Sequence, residues 1–265
     1  MMLEKRQLRG TDFTLGRIGI SSSFGADVDV FEEAFERGCN YFNWGTFIKG
    51  RSGAFRQFLR GKEKAGMRER IVLGLLSYSH SVFLGNVFLE SALKQLGTDY
   101  IDSLILGYFS QKPPQRLLDW AAGVKEKGLI RAVGMTTHNR QIVAELADSE
   151  FIDYFHIRYN AVHRGAEEEI FPKLQGKNKG IVSFTATSWG KLMQQKKLAP
   201  SMVAATAGDC YRFVLSREEI DCCMMGVKNI KMLRDNFSRL EKGPMTQEEL
   251  AWMTSIGDYL HGKRS

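Results

Sequence analysis

Short apolar runs alternate along this chain with longer stretches in which apolar residues recur every three or four positions, and the alternation occurs eight times. Runs of about 4 to 6 residues rich in Val, Ile, Leu or Phe are the pattern of parallel strands buried on both faces, and the longer stretches that of helices with one buried side. Strands are predicted at Arg17 to Ile20, Tyr41 to Asn43, Ile71 to Gly74, Ile101 to Leu106, Ala132 to Met135, Tyr154 to Tyr159, Ile181 to Phe184 and Cys222 to Gly226. Helical spacing joins Val30, Phe31, Ala34 and Phe35, then Phe83, Val87, Phe88, Ala92, Leu93 and Leu96, then Leu117, Leu118, Ala121 and Val124, then Ile142, Val143 and Leu146. Gly38, Gly97 and Gly128 each follow such a stretch, where a left-handed helix end favours glycine. Eight strands alternating with helices predict an α/β fold, the (β/α)8 TIM barrel, over an open doubly wound sheet. Two additions fall outside the eight units. Leu8, the turn-prone Arg9 to Asp12, and Phe13 to Leu15 predict an N-terminal β-hairpin placed to cap the barrel's bottom. Thr246, followed by Glu248 and Glu249, opens a C-terminal extra helix running to about Leu260.

Composition narrows the frame without changing it. The 265 residues, 43% of them hydrophobic, can bury one full core, and no linker-like stretch divides them, so residues 1–265 are expected to form a single domain. No run approaches ~18 uninterrupted apolar residues and Met1 to Gly10 is charged, so neither a membrane span nor a secretory signal is expected and the cytoplasm is the expected location. Cys39, Cys210, Cys222 and Cys223 lack paired metal spacing, and neighbours 222 and 223 must face opposite sides of a strand, so reduced packing residues and no metal are expected. The net charge of +7 would suit a polyanion, yet Lys196-Lys197 and Lys263-Arg264 are isolated pairs without interleaved aromatics, and nucleic acid is not the expected partner.

The strand ends carry little obvious chemistry. Tyr41-Phe42-Asn43-Trp44, Leu73-Gly74-Leu75-Leu76, Ile105-Leu106-Gly107 and Tyr154-Phe155-His156-Ile157 finish in amide, aliphatic, glycine or imidazole, with no charge among them. The order of segments nonetheless resembles a known family. Lys5 to Gly16 resembles the opening of an aldo-keto reductase, Arg37-Gly38-Cys39-Asn40-Tyr41-Phe42 its second strand, and Leu96-Gly97-Thr98-Asp99-Tyr100-Ile101-Asp102 the approach to its fourth. Lys127 to Gly134, Tyr159-Asn160 and Asp235-Asn236 follow in family order, so the resemblance spans nearly the whole chain.

The resemblance implies a barrel that binds NADPH at its C-terminal face and passes hydride to a small-molecule carbonyl. In the family a tyrosine gives the proton, tuned by an aspartate and a lysine, while a histidine orients the substrate, because charge building on the carbonyl oxygen needs a donor. The matching positions here are Asn43, Ile48, Leu76 and Gly107, all substituted. Thr46 and Lys49 lie near the tyrosine position, and Tyr78, His80, Tyr108 and His156 are the other groups that could stand in, each with an alternative role in surface or packing. On the cofactor side the resemblance assigns Thr136 and Thr137 to the carboxamide, His156 to the position of the family's glutamine, Phe184 to nicotinamide stacking and Thr185 to the pyrophosphate. Lys228, Asn229 and Asn236 match the adenosine end, with Lys228 facing the 2′-phosphate at a helix N-terminus. Met232 departs from the family there, and Lys231 or Arg234 is positioned to compensate. Three functions stay open: an NADPH-dependent oxidoreductase with a displaced acid, an inactive NADP(H)-binding sensor or regulatory protein, and a scaffold or interaction protein using Trp44, Phe47 and Ile48 at the mouth. Oligomeric state is not set by the sequence.

Overall fold

The computed structural model describes residues 3–45 and 52–262. Eight parallel strands close into a barrel: β3 (Ile18–Ser21), β4 (Tyr41–Gly45), β5 (Val72–Ser77), β6 (Ile101–Leu106), β7 (Ile130–Thr137), β8 (Tyr154–Arg158), β9 (Gly180–Phe184) and β10 (Cys222–Met225). Each pairs with the next, and β10 returns to β3 through Cys223 opposite Ile18. The predicted strands and their order are those observed. Before them, β1 (Arg6–Gln7) and β2 (Thr14–Leu15) form the antiparallel hairpin.

Helices cover the outside: α1 (Val28–Glu36), α2 (Gly53–Lys64), α3 (Val82–Leu96), α4 (Gln115–Glu126), α5 (Arg140–Glu145), the short α6 (Ala166–Glu169) and α7 (Phe171–Leu174), α8 (Ala207–Leu215), α9 (Ile230–Leu240) and the final α10 (Gln247–Gly262). Gly38, Gly97 and Gly128 take φ of 93°, 72° and 72°, the left-handed conformation expected after helices. At the start of α10 the Thr246 hydroxyl accepts from the Glu249 N–H at 3.2 Å while the Glu249 carboxylate accepts from the Thr246 N–H at 2.9 Å, a capping box.

Two apolar layers result from the strand pleat. Tyr41, Val72, Ile105, Ala132, Tyr154, Val182, Cys222 and Met224 fill the barrel, and Leu8, Phe13 and Leu15 of the hairpin join them from below. The alternate residues, including Phe42, Trp44, Leu73, Leu104, Val133, Phe155 and Cys223, pack outward against the helices. The adjacent thiols of Cys222 and Cys223 therefore lie in different layers, as alternation requires, and both are buried and free.

The apolar stripe of α3 differs from expectation. Phe83 is 73% exposed and Val87 43%, while Gly85, Leu89, Ala92 and Leu96 face the core. The reason is Gly85: a Cβ there would stand 2.8 Å from the Trp120 ring, so the glycine admits that ring from α4 and sets which side of α3 turns inward. Trp44 also departs from expectation, being 1% exposed within the outer core layer, which removes it from any interaction surface. Phe47 and Ile48 lie outside the described residues.

The barrel's lower end is held by charge. Asp102, fully buried on β6, accepts from the Leu73 N–H at 2.9 Å and pairs with Arg68 at 2.8 Å and Arg131 at 3.0 Å. Arg68 is itself 6% exposed and also donates to the Ile71 and Tyr100 carbonyls, so the three charges and the strand edges form one satisfied network.

Candidate active site

Strand alternation decides which side chains reach the mouth of the barrel at its C-terminal end, where βα loops carry the active sites of such folds. From the interior layer below, the inward set continues upward through Ser21, Asn43, Leu76, Thr136, His156, Arg158 and Phe184. Asn43 is buried and registers opposite Gly74, Leu76 is half-buried at the edge of the interior layer, and Ile48 lies outside the described residues, as do Thr46 and Lys49.

At Gly107, the fourth position that the resemblance matches to the family's catalytic residues, the absence of a side chain has a use. Gly107 is buried at the end of β6, its N–H bound to the Ser77 carbonyl at 2.8 Å, and a Cβ on it would stand 2.5 Å from Cδ1 of Tyr78. The ring of Tyr78 thus takes the volume that any side chain at 107 would need. Burial, followed by the neighbouring Tyr108, pushes the Tyr78 phenol up to about 12, so it stays protonated throughout the physiological range.

Tyr78 begins a ladder of rings that crosses the mouth. Its ring lies 5.0 Å from that of Tyr108, Tyr108 5.3 Å from His138, and His138 5.6 Å from Phe184 in an edge-on contact. Because β8 lies between β7 and β9, the last contact passes over β8, whose final residue is Arg158. Burial, then the charge of Arg158, lowers the proton affinity of His138 below the ordinary imidazole value. Tyr108 holds φ of 52°, a left-handed conformation costly for a residue with a side chain and one that clusters at functional sites. His80 stands apart from the ladder, stacked at 4.2 Å on Phe109 with Nε2 3.2 Å from the Gly107 carbonyl.

His156 sits deeper. It is 2% exposed, and its Nε2 meets the Tyr41 hydroxyl at 2.8 Å; Tyr41 in turn contacts the Tyr154 hydroxyl at 2.9 Å and Tyr154 the Ser103 hydroxyl at 2.8 Å. Room for the Tyr154 ring comes from Gly134, whose Cβ would stand 2.6 Å from it. Burial brings the His156 imidazole down to about 3, so it is neutral near pH 7. An unfolded histidine titrates near 6.5, so between these two values the unfolded chain holds the extra proton and acid favours unfolding. Stability should fall as the pH drops from about 6.5 toward 3, with His156 contributing roughly 1.4 kcal/mol per pH unit. Urea unfolding followed at several pH values should show this slope in the native chain and a shallower one in His156→Gln; identical slopes would contradict it.

The residues matched to cofactor lie around the rest of the rim. Thr136 is buried opposite His156, and the Thr137 hydroxyl donates to the Phe109 carbonyl at 2.8 Å while accepting from the Asn139 N–H at 2.9 Å. Beyond Phe184, three residues with side chains are left-handed, Thr185 at φ 63°, Ser188 at 50° and Trp189 at 58°. The buried Asn160 holds this loop by donating to the Thr185 carbonyl at 2.9 Å. Ser188 is fully buried and its hydroxyl has no partner. Lys228 is exposed just before α9, the Asn229 side chain caps that helix by accepting from the Met232 N–H at 2.9 Å, and Asn236 is buried with Nδ2 3.6 Å from the Met225 sulfur. Lys231 pairs with Asp235 at 2.6 Å, and Arg234 is held by Glu33 of α1 at 2.7 Å, so both cations are engaged within the protein. The unsatisfied Ser188 hydroxyl, a capped helix N-terminus and Lys228 are donors of the kind a phosphate-bearing cofactor needs, and the rim fits such a group. Among the described residues no cluster of His, Cys, Asp and Glu is placed to hold a metal, and no helix is long and apolar enough to cross a membrane.

Reading the residues alone overlooked Arg158 and Ser188. Arg158 was available from alternation, since a strand from Tyr154 to Tyr159 turns residues 154, 156 and 158 the same way. Ser188 lies in a long loop with no periodic signal.

Comparison with known proteins bears on the whole arrangement. The barrel superposes on an aldo-keto reductase from Bacillus halodurans, AKR11C1, with a TM-score of 0.80 for its holo form and 0.78 for its apo form, at 20% and 21% identity. In each case 96% of this chain and 96% of that chain are covered, which establishes the shared fold. No curated protein matches the sequence significantly. The sequence profile of the Aldo/keto reductase family matches residues 21–207, from the end of the first barrel strand to the start of α8. With well over half its length matched, and with the closed eight-stranded barrel of those enzymes, the chain belongs to the aldo/keto reductase family of oxidoreductases.

Proposed function

We propose that this protein is an NADP(H)-dependent carbonyl reductase in which Tyr78 gives the proton that the substituted positions Asn43, Ile48, Leu76 and Gly107 do not supply. The observation that carries the reading is the exchange of volume at the end of β6: glycine stands at 107, and the Tyr78 phenol occupies the space beside it. NADPH, when bound, supplies the hydride. Tyr78 then has to deliver one proton to the carbonyl oxygen, and a phenol that stays protonated to about 12 is in the required form at neutral pH. Tyr108 packs beside it, and His138 packs on Tyr108 in turn.

Phe184 offers a ring for stacking, Thr185 and Ser188 offer hydroxyl groups toward phosphate, and Lys228 with the α9 N-terminus offers positive charge. Thr136 and the Nδ1 of His156 are the polar atoms for the nicotinamide end, while Thr137, Asn229 and Asn236 shape the rim through bonds to the protein itself. Lys228→Ala should weaken NADPH binding roughly tenfold, as expected for one charge-assisted contact, and leave NADH binding nearly unchanged. Fluorescence titration at low salt checks this, and equal losses for both nucleotides would remove Lys228 from the 2′-phosphate.

The reductase itself is tested by NADPH oxidation against a panel of aldehydes and ketones, comparing the native chain with Tyr78→Phe. NADPH that binds without being consumed would favour the second reading, a non-catalytic NADP(H)-binding protein. Its support is that Asn43, Leu76 and Gly107 offer no titratable group.

A further inference from the structure

Arg158 is the sole charged side chain on the inward face of the eight strands among the described residues. Its position is specific. It ends β8, registers opposite Phe184 of β9, and acts electrostatically on His138, which sits two ring contacts from Tyr78. The surroundings reinforce the charge. In the loops that follow the strands at this end among the described residues, 22–27, 78–81, 107–114, 138–139, 159–165, 185–206 and 226–229, the sequence places six lysines and arginines against one carboxylate, Asp27, although Lys112 and Arg164 are paired with Glu145 of α5 and Asp258 of α10. A mouth so lacking in acidic groups focuses positive potential on what enters it.

We propose that the carbonyl substrate of this enzyme is anionic, bearing a carboxylate or phosphate beside its carbonyl, and that Arg158 receives that group. The inference rests on the reductase reading and names its substrate class. A guanidinium presents a planar fork that matches either oxyanion with two parallel hydrogen bonds. Tyr78, Tyr108, His138 and Phe184 supply flat apolar walls for the body of the molecule. Arg158 also stands apart from the cations proposed for the cofactor phosphates, being on the strand wall rather than at the α9 N-terminus. With the anion held on Arg158, the adjoining carbonyl would be oriented within the ring ladder that begins at Tyr78.

Calorimetry on the full chain at low salt, with benzoate, phenyl phosphate and neutral benzamide as probes, tests the anion site without requiring turnover. At least one of the two anions should bind, benzamide should not, and Arg158→Met should weaken the anion roughly 10- to 100-fold, the range for a charge-assisted pair. The better-bound probe identifies carboxylate or phosphate as the natural group. Arg158→Lys, which keeps the charge without the fork, should retain part of the affinity and serves where the methionine variant fails to fold. Failure of both anions to bind, binding of benzamide with equal strength, or unchanged affinity in the variants would overturn the proposal.

Turnover separates this inference from the one beneath it. Phenylglyoxylate should be reduced in preference to its methyl ester, and Arg158→Met should erase the preference. An ester reduced as well as the acid would sink the anionic substrate and leave the reductase standing. Absence of NADPH oxidation with either compound, or with the neutral panel, would sink the reductase while anion binding is judged on the calorimetry.

Discussion

Tyr78→Phe should lower kcat/KM for NADPH-dependent carbonyl reduction by roughly 10² to 10⁴, the usual contribution of a positioned general acid. The substitution removes one hydroxyl and keeps the ring against Gly107 and Tyr108, so NADPH affinity and thermal midpoint should hardly change. That separation distinguishes a chemical role from a packing role. The pH profile gives a second reading. The active form is the protonated phenol, which is lost only as the pH rises through about 12, so kcat/KM should be flat from about pH 6 to 9 where proton donation limits the rate. A profile breaking on the acid side of the ordinary imidazole range would instead identify His138, whose proton affinity is lowered by burial and Arg158. An undiminished rate in Tyr78→Phe would take Tyr78 out of the reaction.

Asp102→Ala should destabilise the fold by roughly 3 to 5 kcal/mol, the range for breaking a buried pair by removing one partner. Arg68 is 6% exposed and would keep its charge with its nearest carboxylate gone. The Leu73 N–H would also lose its acceptor at the start of β5. Arg131, 40% exposed in its side chain and paired also with Asp12 at 2.6 Å, can turn toward solvent and should contribute little to the loss. Arg131→Ala is therefore expected to be mild beside Asp102→Ala. Chemical denaturation of both variants at neutral pH checks the ordering, and similar small effects would show that the lower end of the barrel tolerates an unpaired guanidinium.

The strands were legible because parallel strands buried on both faces leave continuous apolar runs, and the eight runs here are separated by segments long enough to cross back over the sheet. Helix α3 was misread at Phe83 and Val87 because the periodic pattern on the chain admits two faces, and the choice depends on Gly85 receiving Trp120 from another helix. Helix α8 buries every residue from Gly208 to Leu215, including Asp209 and Arg212, so its polar positions do not mark an exposed face. The site was half legible. Segment order puts Asn43, Leu76 and Gly107 on or just after barrel strands, where they lie, but the partnership of Tyr78 with Gly107 depends on a volume shared by the ends of two neighbouring strands. A glycine's use is visible only through the neighbour that fills the space.

The hairpin of β1 and β2 drives Leu8, Phe13 and Leu15 into the lower end of the barrel, so the interior is sealed on that side. Traffic is then confined to one doorway. Were the proposed cofactor and substrate both to bind in the mouth, they would queue: what lodges deepest would arrive first and depart last. A sealed floor would thus make sequence of arrival a property of the architecture.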